Sequence, residues 1–167
     1  MDTLIILGAK YVPVFIALVA VGYFLYAPCK QKAMMMFLGA VTLPLAFVLG
    51  KMASLLVQTQ RPFAVQDAQP VVAHIADNGF PSEHTLYALI IAGVIFMVHR
   101  KLGIFLLGCA VSVGVARVFA LVHNPVDILG SIIVAATVFG AVYVTAILRC
   151  GTSVMSRLEK YCGTIHK

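Results

Sequence analysis

Long apolar stretches separated by short polar segments make up most of this chain. Each stretch is bounded by charged residues or by Pro, Gly and Asn. The stretches cover residues 4–27, 33–57, 84–98, 102–122 and 126–148. Because lipid offers the backbone no hydrogen-bond partners, such segments cross a bilayer as helices, at about 20 residues per crossing. We therefore expect an all-α polytopic membrane helix bundle with about five transmembrane helices, or six at most.

The composition supports this reading and excludes other classes of protein. Of the 167 residues, 62% are hydrophobic and 11% are charged, whereas soluble domains carry about 25% charged residues. An ordinary soluble domain, a disordered chain and a protein with a charged nucleic-acid-binding surface are all excluded. We divide the chain into a transmembrane domain at 1–148 and a basic tail at 149–167.

The net charge of +6 is explained by the membrane and requires no nucleic acid. Five helices place the loops at 28–32 and 99–101 on the same side as the tail. That side holds Lys30, Lys32, Arg100, Lys101, Arg149, Arg157, Lys160 and Lys167. The opposite side holds Lys10, Lys51, Arg61 and Arg117. By the positive-inside rule the first side is cytoplasmic, so the second faces the periplasm or exterior of a plasma membrane.

The cysteines and the N-terminus add little chemistry. The four cysteines have neither the C-x-x-C spacing of a metal or redox site nor the density of a disulfide-linked fold. They are Cys29, Cys109, Cys150 and Cys162, and we expect free thiols. No basic region or small-residue cleavage site precedes the first apolar stretch, so we expect that stretch to be retained rather than removed as a signal peptide.

Polar side chains that could bind a ligand or take part in a reaction gather on the predicted outer side. The connection at 58–83 is the longest in the chain, and loops of this length usually carry function. Up-and-down topology brings its two ends close to the turn at 122–127. The side chains gathered there are Lys51, Arg61, Ser82, His84, Arg117, His123 and Asp127.

Two predicted helix starts favour an anion at this place. Ser82 is a candidate N-cap, while Asn124 and Pro125 suit the N-cap and first positions of the last helix. Helix N-termini attract anions, and the nearby cations Lys51, Arg61 and Arg117 suit a phosphate group. For Lys51 or Arg117 taken alone, extension of the side chain to the membrane surface is an alternative.

The two histidines suggest how a bound phosphate would react. Asp127 lies four residues after His123, so its carboxylate can hold one ring nitrogen and leave the other as nucleophile or base. His84, on another helix, would protonate a leaving oxygen. Either histidine could instead have a purely structural role. A zinc site formed by His74, His84, His123 and Asp127 is disfavoured by the surrounding cations, so we expect no metal and no cofactor.

In these residues the chain resembles the type 2 phosphatidic acid phosphatase family. That family has the motifs Lys-x6-Arg-Pro, Pro-Ser-Gly-His and Ser-Arg-x5-His-x3-Asp. Here they read Arg61-Pro62, Pro81-Ser82-Glu83-His84 and Ala116-Arg117-x5-His123-x3-Asp127. Residues 60–85 are also similar to undecaprenyl-diphosphate phosphatases of the bacitracin-resistance type, in which RPF and an acidic residue after FPS recur.

The resemblance implies a metal-independent lipid phosphatase with a phosphohistidine intermediate. It implies that His123, oriented by Asp127, attacks phosphorus, that His84 is the acid, and that Arg61, Ser82 and Arg117 bind phosphate. Undecaprenyl diphosphate is the favoured substrate, and phosphatidylglycerophosphate, phosphatidate and lipid A phosphates are alternatives.

Three positions depart from the family pattern. Ser54 stands where the family has lysine, so we transfer the phosphate-binding role to Lys51, while Glu83 and Ala116 replace Gly and Ser. A catalytically inactive member of the family, and a non-catalytic binder or transporter of lipid phosphates, therefore remain rival hypotheses. The sequence does not indicate an oligomeric state.

Overall fold

The computed structural model describes residues 2–149 except 66–68, 70, 73, 74 and 76. The helices in this part of the chain are α1 Asp2–Tyr26, α2 Cys29–Leu56, α3 Pro62–Val65, α4 Glu83–Val98, α5 Arg100–Phe119 and α6 Pro125–Arg149. A π-helical segment, Leu7–Tyr11, interrupts α1. His74, Cys150, Cys162 and the predicted tail beyond residue 149 lie outside the described residues, so the proposed domain division stays a prediction.

The predicted all-α membrane bundle is confirmed. Helices α1, α2, α5 and α6 are each long and apolar enough to cross a membrane, and their bounds lie within a few residues of the predicted stretches. The largest difference is at α2, which begins at Cys29 rather than at 33. Two cysteines in the described part, Cys29 and Cys109, are free thiols as predicted.

Helix α4 is the short third stretch of the prediction, and it forms the centre of the bundle. Its 16 residues span about 24 Å, less than the hydrocarbon core of a bilayer. Helices α1, α2, α5 and α6 all pack against it, and most of its side chains are buried. A helix surrounded by protein on several sides need not match the lipid thickness, which explains its length.

Close helix contacts depend on small residues around α4. A Cβ atom at Gly103 of α5 would lie 2.2 Å from the Cα of Phe96 on α4. Only glycine therefore permits this approach, and α4 and α5 have the most extensive contact of any helix pair in the described bundle. The outer faces of the long helices expose large apolar side chains, such as Leu18, Phe47 and Ile133, as expected of an integral membrane protein.

Five helix ends meet at one end of the bundle, which we call the site end. They are the ends of α2 and α5 and the beginnings of α1, α4 and α6. Backbone hydrogen bonds join them: Phe63 N donates to Leu121 O at 3.1 Å, and Ser82 N donates to Asp127 O at 3.3 Å. The bundle therefore brings together the segments that carry the predicted site. That this end faces outward stays a prediction.

Candidate active site

A cavity of about 380 Å³ opens at the site end. Five of the predicted site residues line it: Lys51, Arg61, His84, Arg117 and His123. Ser82 and Asp127 are fully buried behind its wall. Its size is within the range of small-molecule sites. The fold thus brings Lys51 and His123, which are 72 positions apart in the sequence, to the same cavity.

The imidazole of His123 is held between a carboxylate and a guanidinium. Its Nδ1 lies 3.3 Å from Asp127 Oδ2, and its Nε2 lies 3.4 Å from Arg61 Nη1. Because arginine only donates, Nε2 accepts, and the ring proton resides on Nδ1, facing the carboxylate. Both contacts therefore support the same tautomer, with the Nε2 lone pair on the side of the arginine.

The surroundings of His123 favour its neutral form. The side chain is 3% exposed, and this burial lowers its pKa below 6.5. The charges of Arg117 and Arg61 lower the pKa further, whereas Asp127 opposes them. The ring is consequently uncharged at neutral pH, which is the state that a nitrogen nucleophile requires.

Arg61 is fixed by contacts on three sides. Its Nε and Nη2 each lie 2.8 Å from Asp77 Oδ1, and Nη1 donates to the carbonyl of Val122 at 2.7 Å. The guanidinium is 5% exposed. Because the Val122 carbonyl immediately precedes His123, Arg61 both places a positive charge in the cavity and fixes the backbone that carries the imidazole.

Arg117 has unused hydrogen-bonding capacity. It is 2% exposed, and its Nη1 has a long contact of 3.4 Å with the carbonyl of Ala9. Its Nε and Nη2 have no hydrogen-bond partner in the described part of the chain. A buried charged donor without a partner is costly, so a ligand in the cavity that accepts these bonds would offset that cost.

Lys51, to which the family lysine role is transferred, pairs with Glu83, one of the three departures from the family pattern. Lys51 Nζ lies 2.8 Å from Glu83 Oε1, and the two side chains are 55% and 59% exposed. The lysine does line the cavity, as expected, although its positive charge is balanced by a carboxylate. Ser54, at the family lysine position, instead accepts a hydrogen bond from Asn78 Nδ2 at 2.9 Å.

Both predicted helix starts are at the right positions, but the expected capping bonds are not those observed. Ser82 immediately precedes α4, yet its hydroxyl lies 3.0 Å from Thr85 Oγ1 and caps no backbone N–H. Asn124 precedes α6, and its amide donates to Gln60 O. Its backbone N–H is instead bound by Asp127 Oδ2 at 2.8 Å, because an acidic side chain at the third helical position can reach back to that group.

Sequence reasoning missed the residues that surround Asp127. Thr59 donates its hydroxyl to Asp127 Oδ1 at 2.7 Å, and Asn78 Oδ1 accepts from Thr59 N at 3.0 Å. Gly79 packs directly against both Thr59 and Asp127. The Asn78-Gly79 dipeptide is a recognisable turn signal, but nothing in the sequence connects it to Asp127.

Comparison with known proteins agrees with these motifs. Residues 33–149 match the PAP2 superfamily. The chain belongs to the PAP2 superfamily. The match extends from the first turns of α2 to the end of α6, so it includes every predicted site residue. The resemblance found in the motifs is thereby confirmed.

Two relatives carry different functional names. The bacitracin transport permease protein BcrC of Bacillus licheniformis is 34% identical over 121 residues, which cover 72% of this chain and 59% of that protein. The undecaprenyl-diphosphatase BcrC of Bacillus subtilis (strain 168) is 29% identical over 135 residues, which cover 81% of this chain and 69% of that protein. One name describes transport and the other describes hydrolysis.

Proposed function

We propose that this PAP2 chain is an integral-membrane phosphatase that removes the terminal phosphate of a lipid phosphate or diphosphate. The observation that carries the proposal is the arrangement of His123, with Nδ1 toward Asp127 and Nε2 beside Arg61. A neutral, oriented imidazole next to buried cations suits attack on phosphorus. The undecaprenyl-diphosphatase name of one relative makes undecaprenyl diphosphate the favoured substrate.

In the proposed first step, Arg61 Nη1 turns from His123 Nε2 to the bound phosphate, and the freed Nε2 lone pair forms a bond to the terminal phosphorus. The bond from phosphorus to the bridging oxygen breaks, and His84 donates a proton to the departing lipid phosphate. Arg61 and Arg117 stabilise the charge on the transferring group, with Lys51 and the start of α4 at Ser82 contributing. In the second step, water attacks the phosphohistidine, His84 accepts a proton, and phosphate leaves as the N–P bond breaks.

Transport is the second candidate function, because the Bacillus licheniformis relative is named a transport permease. A charged lipid head crossing the bundle would need polar groups along its path. In the described part of the chain, the buried charged and histidine side chains are Arg61, Arg117, His123 and Asp127. All four lie at the site end. This distribution favours a reaction at one surface over passage through the bundle.

Phosphate release by the purified protein tests the proposal. In detergent with EDTA, wild-type protein should release phosphate from undecaprenyl diphosphate, and a panel of phosphatidylglycerophosphate, phosphatidate and lipid A phosphate defines the preference. An acid-labile phosphoprotein should form in wild type and be absent from His123→Ala. No phosphate release from any of these lipids would refute the phosphatase, and full inhibition by EDTA would refute the metal-free mechanism.

The orientation of the site is part of the same proposal. The positive-inside count places the loop at 58–83 outside. A cysteine introduced at position 67 should react with a membrane-impermeant thiol reagent in intact cells, whereas Cys162 should react only after permeabilisation. The reverse pattern would place the site in the cytoplasm, where it would meet a different pool of lipid.

A further inference from the structure

The Asp127 carboxylate is held at both oxygens. Oδ2 accepts from Asn124 N at 2.8 Å and contacts His123 Nδ1 at 3.3 Å. Oδ1 accepts from the hydroxyl of Thr59 at 2.7 Å. Asp127 is fully buried, so water cannot easily replace a lost partner. Thr59, at Oδ1, and Asn124 N, at Oδ2, therefore together keep the carboxylate from rotating away from the imidazole.

Thr59 is itself held firmly through its backbone. Its N–H donates to Asn78 Oδ1 at 3.0 Å, and its carbonyl accepts from Gly79 N at 3.0 Å. The amide of Asn78 also donates to Ser54 Oγ at 2.9 Å. These bonds connect the end of α2 to the segment that supports Asp127, and they give Ser54 a structural role in place of the family lysine.

Gly79 shows how tightly this contact is enclosed. A Cβ atom at Gly79 would lie 2.9 Å from Asp127 Oδ2 and 3.0 Å from Thr59 Oγ1. Both distances are shorter than carbon atoms normally reach in a packed interior. The loop thus approaches so closely that the hydroxyl and the carboxylate have little room to change partners.

We infer that Thr59 is a positioning residue, which acts on the reaction by holding Asp127 in the orientation that aligns His123. The inference rests on the proposed function and adds a residue outside the three family motifs. Thr59 is not among the residues that line the cavity, so it does not contact phosphate. Its removal should consequently slow the chemical step and leave substrate binding nearly unchanged.

The kinetic test uses variants that separate the hydroxyl from the shape of the side chain. Thr59→Val keeps the β-branch and loses the hydroxyl, and we expect kcat to fall about tenfold with KM changed less than about twofold. Thr59→Ser restores the hydroxyl and should be within about twofold of wild type. Thr42→Val is the matched control, because Thr42 is buried and its hydroxyl donates to its own helix at Leu38 O.

Dependence on Asp127 provides the second comparison. In an Asp127→Ala background, Thr59→Val should cause no further loss of kcat, because the hydroxyl no longer has a carboxylate to hold. A wild-type kcat in Thr59→Val, an equal loss in Thr59→Ser, or a further tenfold loss in the Asp127→Ala background would each overturn the inference.

A measurement without turnover keeps the inference separate from the proposed function. Proton and nitrogen NMR of the His123 ring, assigned by comparison with His123→Ala, reports the strength of the hydrogen bond from Nδ1–H to Asp127. The Nδ1 proton resonance should be alike in wild type and Thr59→Ser and should move upfield in Thr59→Val, because a misaligned carboxylate accepts a weaker bond. An unchanged Nδ1 proton resonance in Thr59→Val would refute the positioning role. If the wild-type protein hydrolyses no substrate, the proposed function is wrong. The NMR spectrum still tests whether Thr59 positions Asp127, because it requires no turnover.

Discussion

The cavity has two regions that hold their charges differently. The deep wall, formed by Arg61, Arg117 and His123 with Asp127 directly behind them, is almost completely buried, with the two arginines 5% and 2% exposed. The rim, formed by Lys51, Glu83 and His84, is exposed, and its ion pair has side-chain exposures of 55% and 59%. Electrostatic interactions are much stronger in the deep wall than at the rim, where solvent screens them.

This difference in burial separates the groups that should affect the chemical step from the ion pair that should affect substrate binding. In the proposed reaction, the deep wall aligns the imidazole and supplies donors at the phosphorus, so small displacements there should affect the chemical step. The rim lies where the rest of the head group would pass. A solvent-exposed ion pair contributes about 0 to 1 kcal/mol, so a phosphate group can replace Glu83 as the partner of Lys51 at low cost.

The largest effects should follow changes to the deep wall. His123→Ala removes the proposed nucleophile, and Arg117→Ala removes buried donors that have no partner among the residues that the structure describes, so each should lower kcat by about 10³-fold or more. Phosphate release by purified variants measures this loss. Arg100→Ala, which changes a cation at the opposite end of the bundle, is the control and should retain full activity. Turnover close to wild type in either deep-wall variant would disprove the site.

For Lys51 at the rim the expected loss is smaller and falls mainly on binding. Lys51→Met should raise KM and lower kcat/KM by about tenfold, because an exposed cation contributes less than a buried one. Ser54→Ala should have little effect, since the backbone carbonyl of Ser54 also accepts from Asn78. Partial recovery in the double variant Lys51→Met with Ser54→Lys would show that the charge is what the site needs. Unchanged kinetics in Lys51→Met would exclude Lys51 from phosphate binding.

The sequence was sufficient to predict the deep wall and most of the fold. Apolar stretches of membrane length specify the helices, and the spacing of Arg117, His123 and Asp127 places them around one tight turn between α5 and α6. By contrast, the contact from Thr59 to Asp127 depends on how the loop after α2 lies against α6, and the contact from Lys51 to Glu83 depends on how α2 packs against α4. That placement follows from tertiary packing, and no local pattern of residues encodes it.

The acid–base behaviour of His123 tests the deep wall directly. Burial, together with the charges of Arg117 and Arg61, lowers the pKa of His123 below 6.5. The neutral form should therefore persist to lower pH than for a solvent-exposed histidine, and it should be lost as the pH falls through the lowered pKa. An NMR titration of the His123 ring in the substrate-free protein measures this midpoint. A midpoint above 6.5 would contradict the assigned surroundings.

The smallest expected effect concerns Glu83, where the rim carries a negative charge that the family motif lacks. Glu83→Gln removes the competitor for Lys51 and one source of repulsion toward an anionic substrate, so KM should fall about twofold to threefold at low ionic strength while kcat stays constant. The gain should shrink as salt is added, because the pair is exposed. In a Lys51→Met background, Glu83→Gln should lower KM less, since its remaining effect is repulsion alone. A rise in KM on Glu83→Gln would instead show that the carboxylate helps to bind the substrate and does not merely compete with it for Lys51.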